Sequence, residues 1–254
     1  MKLRHNMELL YLDIETTPNE GTFWNQWPKY IPIDQMHTPT EVLSYAFKWE
    51  GSRETTFLKW DDKDFVQTIW DALDKADAVV HYNGTAFDIK HLNAMFALRG
   101  LPPPSHFHQI DLLKTVRKNF KLFSYKLDYV CRYFGLGKKV KHAGIELWYG
   151  CMEGNLRDWK IMEKYNRKDC VLLPKLYKFL LPWIHNHPNV GMYIDDPGKP
   201  TCTKCGSTNV IKKGTQYNTK TASYDRFRCN ACGENMRSRL RSKPTSENVL
   251  MRTN

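Results

Sequence analysis

The chain has 254 residues, of which 41% are apolar, 13% aromatic and 26% charged, a composition ordinary for a soluble globular protein. That length allows one mid-sized core and a small appendage. No stretch approaches the roughly 18–20 apolar residues that span a bilayer, so no membrane partner is expected. The start, Met1 to Asn6, lacks the apolar region and cleavage site of a signal peptide. An intracellular location is therefore expected, where cysteines are more often metal ligands or core residues than disulfides. The net charge of +11 is concentrated: from Lys199 to Asn254 there are twelve Lys/Arg against three Asp/Glu. A basic segment of this kind suits a polyanionic partner, most commonly nucleic acid, with a solvated tail as the alternative reading.

Residues 8–14 are apolar enough for a buried strand. Residues 16–40 are broken by Pro18, Pro28, Pro32 and Pro39 and read as a loop over one edge of the core. Residues 42–49 and 54–58 read as strands joined at Gly51-Ser52. Phe65, Ile69, Trp70 and Leu73 recur at helical spacing, and residues 78–82 form a short apolar strand ending in an Asn83-Gly84 turn. A helix over 87–98 stops at Gly100 and the prolines 102–104. A strand ends near Asp111, which reads as the cap of a helix through Phe120. Ser124 can cap a further helix over 125–134 that Gly135 ends. The last long helix begins near Asn155 and runs past Leu173 toward Phe179, bent at Pro174. Strands followed by strand–helix alternation indicate an α/β layer fold with a mixed central sheet flanked by helices. The predicted divisions are a domain over 1–184, a linker over 185–200, a small cysteine-bearing domain over 201–242 and a flexible basic tail over 243–254.

Asp13 and Glu15 sit two apart at the end of the first strand, where alternation places both on one face. Asp88 lies where a later strand gives way to a helix, a common place for sites in open α/β sheets. Tyr165 and Asp169 are four apart on the long helix and share a face. Carboxylates brought together would repel unless cations sat between them, and hard ions such as Mg²⁺ or Mn²⁺ prefer such oxygen ligands. Singly these signals are weak, since Tyr30 and Asp34 have the same spacing in the proline-broken loop.

The ordered set carries more. Asp-x-Glu early, Asn83-x-x-x-Phe87-Asp88 at a strand–helix junction and Tyr165-x-x-x-Asp169 on a late helix resemble the DEDD 3′→5′ exonuclease superfamily. That superfamily has a ribonuclease-H-like fold and includes proofreading exonucleases of DNA polymerases. The similarity runs from about Glu8 to Leu180 and includes Ser124-Tyr125-Lys126-Leu127-Asp128. The alternative histidine of that superfamily would fall at Lys164, so Tyr165 places the chain in the tyrosine branch. The resemblance implies metal ligands at Asp13, Glu15, Asp88 and Asp169. It implies hydrolysis with two ions about 3.5–4 Å apart, bridged by Asp13, with Glu15 and Asp169 on one and Asp88 on the other. Tyr165 would orient the attacking water, since a phenol of pKa about 10 is a poor general base. The implied products are nucleoside 5′-monophosphates released from a 3′ end. Asn83 would lie close to the substrate, although the turn alone accounts for it. The basic residues Lys138, Lys139, Lys141 and His142 could grip phosphates or form a solvated loop. The insert at 16–40 has no counterpart in the minimal fold.

Cys202-x-x-Cys205-Gly206 and Cys229-x-x-Cys232-Gly233 form two knuckles separated by 23 residues. Such pairs bring four thiolates onto one tetrahedral Zn²⁺, and the glycines permit the tight turns. This looks like a zinc ribbon whose metal is structural, because four Cys ligands leave no open position. Zinc would supply the folding energy so small a unit lacks. Arg226, Arg228, Arg237, Arg239 and Arg241, with Tyr224 and Phe227, could contact phosphates and stack on bases, or the ribbon could bind a protein. Cys131, Cys151 and Cys170 are scattered and read as buried or idle thiols.

The expected activity is exonucleolytic removal of nucleotides from 3′ ends of DNA, single-stranded ends above all. RNA as substrate, an endonuclease on the same fold and a binding protein with a retired site remain alternatives. A proofreading role would need a polymerase, replication or repair partner, since these residues hold no polymerase domain.

Overall fold

The computed structural model describes residues 7–25, 27–138, 144–194 and 198–242. They form two compact units, one of Glu8–Leu180 and one that begins at Leu181.

In chain order the first unit contains β1 (Leu9–Thr16), β2 (Glu20–Gly21), β3 (Met36–Thr38), β4 (Val42–Trp49), β5 (Thr56–Lys59), α1 (Phe65–Lys75), β6 (Ala78–His81), α2 (Asp88–Leu98), β7 (His108–Asp111), α3 (Leu112–Asn119), α4 (Leu127–Tyr133), α5 (Glu146–Met152) and α6 (Leu156–Leu180). The main sheet has the order β5-β4-β1-β6-β7. β4 pairs antiparallel with β1 and β5, while β1–β6 and β6–β7 are parallel, so the sheet is mixed, as expected from the sequence.

Side-chain alternation along β1 divides the core. Leu10, Leu12 and Ile14 pack in one cluster with Phe65, Ile69 and Leu73 of α1 and Ile89, Leu92 and Phe96 of α2. On the other face Tyr11 meets the ring of Tyr177 on α6 edge-on at 5.9 Å. A second cluster joins Leu43 of β4, Leu147 and Cys151 of α5, and Trp159, Met162 and Tyr165 of α6. Helices therefore cover both faces, and each fully buried Leu or Phe contributes about 1.5–3 kcal/mol.

Three local departures from the sequence reading have physical causes. Residues 16–40 are not wholly irregular, because β2 and β3 pair as a short antiparallel ribbon whose strands avoid all four prolines. α5 escaped the sequence reading, being seven residues long with Gly150 inside it. α4 starts at Leu127 with Lys126 as its N-cap, and the Ser124 hydroxyl accepts from the Lys126 amide at 3.3 Å instead of capping. Asp111 does cap α3, accepting from the amides of Leu113 and Lys114.

The second unit contains β8 (Val210–Asn218), β9 (Ser223–Cys229) and β10 (Asn235–Arg241), an antiparallel sheet of order β10-β9-β8. Short 3₁₀ turns precede it at Leu181–Trp183 and Val190–Tyr193. Within this unit Val190 donates its amide to the Thr203 carbonyl at 2.7 Å. The buried Lys204 ammonium reaches the Pro182 carbonyl at 3.2 Å and the Glu234 carboxylate at 2.5 Å. Among the described residues no helix is long and apolar enough to cross a membrane.

Candidate functional site

β1 ends in Leu-Asp-Ile-Glu-Thr, with Asp13 opposite Ala46 and Glu15 opposite Ser44 of β4. Both acids lie on the β1 face that carries Tyr11, the face covered by α6. A register shift between Glu15 and Thr16 makes the ladder irregular directly after the second acid, Thr16 pairing with Val42 beyond it.

α6 packs on this face with Asp169 inward. The oxygens of Asp13, Glu15 and Asp169 include one from each residue such that all lie within 4.8 Å of one another. Asp169 is fully buried. Three carboxylates at this separation, in a partly buried site, form a donor set suited to a hard divalent cation. Tyr165 stands one turn before Asp169, nine-tenths buried, its ring edge-on to Trp148 of α5 at 6.2 Å.

Asn166 was not among the residues the sequence pointed to. It is fully buried, and its amide group donates to the Asp13 carboxylate at 2.7 Å and to the Asp13 carbonyl at 3.1 Å. Its own carbonyl oxygen accepts from the Ser44 hydroxyl at 3.4 Å. The hint lay in spacing: Asn166 falls on the same helical face as Asp169 and Cys170. The Cys170 thiol donates to the Ala46 carbonyl at 2.9 Å, and burial, reinforced by Asp13, Asp169 and Asp88, holds it well above the usual thiol range.

Asp88 opens α2 and stands outside the three-acid cluster. Its carboxylate accepts from the amide of Ile14, the residue between Asp13 and Glu15, at 3.1 Å, which ties it to β1. Burial pushes its pKa up to about 7, with Asp111 adding in the same direction and the backbone hydrogen bonds opposing. The buried carboxyl therefore stands beside β1, between the residues that carry Asp13 and Glu15 and the end of β7 that carries Asp111.

The turn between β6 and α2 is built to place Asp88. Asn83 adopts a left-handed conformation at φ 72°, which asparagine tolerates, and donates its amide to Asp111 at 3.0 Å. The Gly84 amide donates to His81 Nδ1 at 3.0 Å, and a Cβ at Gly84 would stand 2.7 Å from that nitrogen, so only glycine fits. The Asn83 side chain is exposed. Lys138 is exposed as well, while Lys139, Lys141 and His142 lie outside the described residues.

In the second unit the four cysteine sulfurs gather within 4.8 Å of one another. Cys202 and Cys232 are 3.5 Å apart and Cys205 and Cys229 3.6 Å, far beyond the bond length of a disulfide, so all four are free thiols. Zinc–sulfur bonds of 2.3 Å in a tetrahedron imply sulfur separations of about 3.8 Å, which this set approaches. Gly206 and Gly233 take positive φ of 69° and 81° and donate to the Cys202 and Cys229 carbonyls, closing the two knuckles. Burial raises the Cys229 thiol, but hydrogen bonds from the Cys232 and Ala231 amides and from neighbouring thiols outweigh it and bring the pKa down to about 7. Burial instead raises Cys205 to about 11 and Cys232 further still, so these thiols hold their protons unevenly.

Cross-strand register sorts the arginines. Arg226 pairs with Arg237, Arg228 with Asn235, and Tyr224 with both Arg241 and Tyr217. Directly opposed residues share a face, so Arg226, Arg228, Arg237 and Arg241 lie together with Tyr217 and Tyr224. The Arg237 guanidinium stands 4.1 Å from the Tyr224 ring centre and 5.9 Å from that of Tyr217. Arg239 is exposed between Arg237 and Arg241 on β10, whereas Phe227 occupies the opposite face.

A mixed sheet with its acids at the end of the first strand, crossed by a helix that supplies another, defines a ribonuclease-H-like protein. The chain belongs to the RNase H superfamily: the family model described as RNase_H superfamily matches residues 34–181, more than half of the 254. The matched span contains Asp88, Tyr165 and Asp169 but begins after Asp13 and Glu15. Among solved structures the chain is similar to the family B DNA polymerase from the hyperthermophilic archaeon Pyrobaculum calidifontis, with 20% identity and a TM-score of 0.53. That similarity covers 69% of this chain and 25% of the polymerase, so the chain spans about a quarter of the relative's length. No curated protein sequence matches the chain.

Proposed function

We propose that the protein is a metal-dependent 3′→5′ exonuclease that removes nucleotides from single-stranded DNA ends, releasing nucleoside 5′-monophosphates. The observation that carries this reading is the convergence of Asp13, Glu15 and Asp169 within 4.8 Å, beside a tyrosine one helical turn away. The order of motifs along the chain, the superfamily membership and the likeness of fold to part of a DNA polymerase support it.

Asp13, Glu15 and Asp169 would hold one divalent cation, and Asp88 together with Asp13 would hold a second. Mg²⁺ or Mn²⁺, when bound, supplies an activated water nucleophile and stabilises charge on the leaving 3′ oxygen. Asn166 fixes the rotamer of Asp13 through its 2.7 Å hydrogen bond, so the shared ligand arrives oriented. Tyr165 orients the attacking water. Asn83 and Lys138, both exposed, contact the strand. The unit over residues 201–242 is a zinc ribbon held by Cys202, Cys205, Cys229 and Cys232, and its arginine face grips phosphates while Tyr217 and Tyr224 meet bases. Residues 1–184 form the exonuclease domain. RNA is the second substrate to test, because the tyrosine branch that the motifs resemble includes ribonucleases.

The test is a time course on 5′-labelled single-stranded DNA and on RNA of the same sequence, with Mg²⁺ or Mn²⁺, with EDTA, and with Asp88→Ala. A metal-dependent ladder that shrinks from the 3′ end and vanishes in the variant is expected, with DNA degraded faster. Full activity of Asp88→Ala would overturn the site, and internal cuts would make the protein an endonuclease.

A further inference from the structure

The insert that follows β1 serves no part of the chemistry described so far, yet its construction is specific. Thr17 and Glu41 close its base by two hydrogen bonds, Thr17 N–H to the Glu41 carbonyl at 2.8 Å and Glu41 N–H to the Thr17 hydroxyl at 2.9 Å. Above them Glu20 pairs with Thr38 and Gly21 with Met36, the Thr22 amide donates to Gln35, and the Thr22 hydroxyl meets His37 at 2.6 Å. The ribbon is therefore pinned at its root, two residues beyond Glu15.

What it displays is aromatic. Trp24 is 90% exposed, Trp27 85%, Tyr30 77% and Phe23 50%, with Ile33 at 87%. Rings of this size normally bury 150–250 Å² each, so several left in solvent on one short ribbon rooted next to Glu15 mark a surface awaiting a partner. Lys29 is the only Lys or Arg between residues 17 and 40, which also hold Glu20 and Asp34. Such a surface gains little from phosphates and is suited to flat, uncharged groups. Four of its five large apolar side chains are rings, whereas a protein groove would be matched as well by aliphatic ones. Every unpaired base offers a π-face, and stacking on aromatic side chains tolerates any sequence.

We propose that the ribbon between Thr17 and Glu41 is a base-stacking platform. It holds unpaired bases of the strand whose end enters the acidic site, chiefly through Trp24 and Trp27. This deepens the exonuclease reading and rests on it. The ribbon contributes affinity through bases, while the arginine face of β9 and β10 contributes it through phosphates.

The experiment uses the full chain in the Asp88→Ala background, which binds without cutting. Affinity is measured for a short oligothymidylate and for an abasic phosphodiester strand of equal length, with Trp24→Ala/Trp27→Ala and Trp24→Phe/Trp27→Phe compared with the parent. The alanine pair is expected to weaken oligothymidylate binding by about ten- to a hundred-fold and to leave the abasic strand unaffected. The phenylalanine pair should retain most of the affinity, and circular dichroism should be unchanged. Equal loss on both strands, or loss on neither, overturns the platform. So does a change in sedimentation of the alanine pair with DNA affinity intact, which would assign the rings to contact between copies. If the parent binds neither strand, the exonuclease reading itself falls; if the parent binds and the alanine pair binds equally well, only the platform does.

Discussion

Asn166 shows how much of a candidate site is carried by a residue without charge. An amide group between Ser44 and Asp13 costs little when fully hydrogen-bonded, but truncating it takes a donor from a partly buried carboxylate. Asn166→Ala is expected to lower Mn²⁺ affinity about 10- to 100-fold, measured by calorimetry, the usual consequence of losing a group that orients a ligand. The variant should also lose about 1–3 kcal/mol of stability to urea. Tyr165→Phe separates the roles: turnover should fall while Mn²⁺ binding stays near that of the parent. Unchanged Mn²⁺ binding in Asn166→Ala would remove Asn166 from the site and leave it a packing residue.

At the scale of the element, the turn from β6 into α2 has its own pH dependence. His81 is fully buried, and burial lowers its pKa from 6.5 to about 4 against the opposing pull of Asp111. The unfolded chain therefore takes up a proton near pH 6.5 that the folded protein refuses until about pH 4. The stability due to neutral His81 is complete above pH 6.5 and is lost as pH falls through that window, by up to about 3 kcal/mol. His81→Asn keeps an acceptor for the Gly84 amide and removes the titration, so its urea midpoint should fall less between pH 7 and pH 5 than the parent's. A parallel fall in both proteins would refute the assignment. The same turn shows what the sequence could and could not disclose. Asn83-Gly84 announced a turn by composition, and the apolar runs of β1, β4 and β6 announced strands by pattern. Asp13, Glu15 and Asp169, which the structure brings together, were legible only as an ordered set, because spacing on one strand and one helix says nothing of how the two dock. Asn166 was illegible for the same reason, since its partners lie 122 and 153 residues away. β2 and β3 were hidden among prolines that turned out to flank them, and α5 was too short to show a period.

For the whole molecule, division into two compact units means that two different forces hold the chain together. The unit of Glu8–Leu180 has apolar clusters on both sides of a sheet, whereas the unit from Leu181 gathers four thiols among small strands. A strong chelator is therefore expected to melt the second unit at temperatures where the first remains folded, seen as an early, separate transition in calorimetry that added Zn²⁺ restores. A single transition unaffected by chelation would mean that the cysteines hold no metal. The arginine face predicts a second global property, the salt dependence of strand binding. Arg226→Ala/Arg228→Ala/Arg237→Ala should flatten the plot of log affinity against log salt by about 0.7 for each phosphate contact removed. An unchanged slope would direct that face toward a protein partner instead. Cys170 bears on which donors the acidic site offers. It adjoins Asp169 and donates its proton to Ala46 within the acidic site, where burial and three carboxylates keep it a thiol. Were it ionised, a soft thiolate would stand among hard carboxylate oxygens and favour a different kind of cation there. Burial thus leaves the acidic site with oxygen donors alone, a selection made by a proton that stays in place and not by any ligand distance.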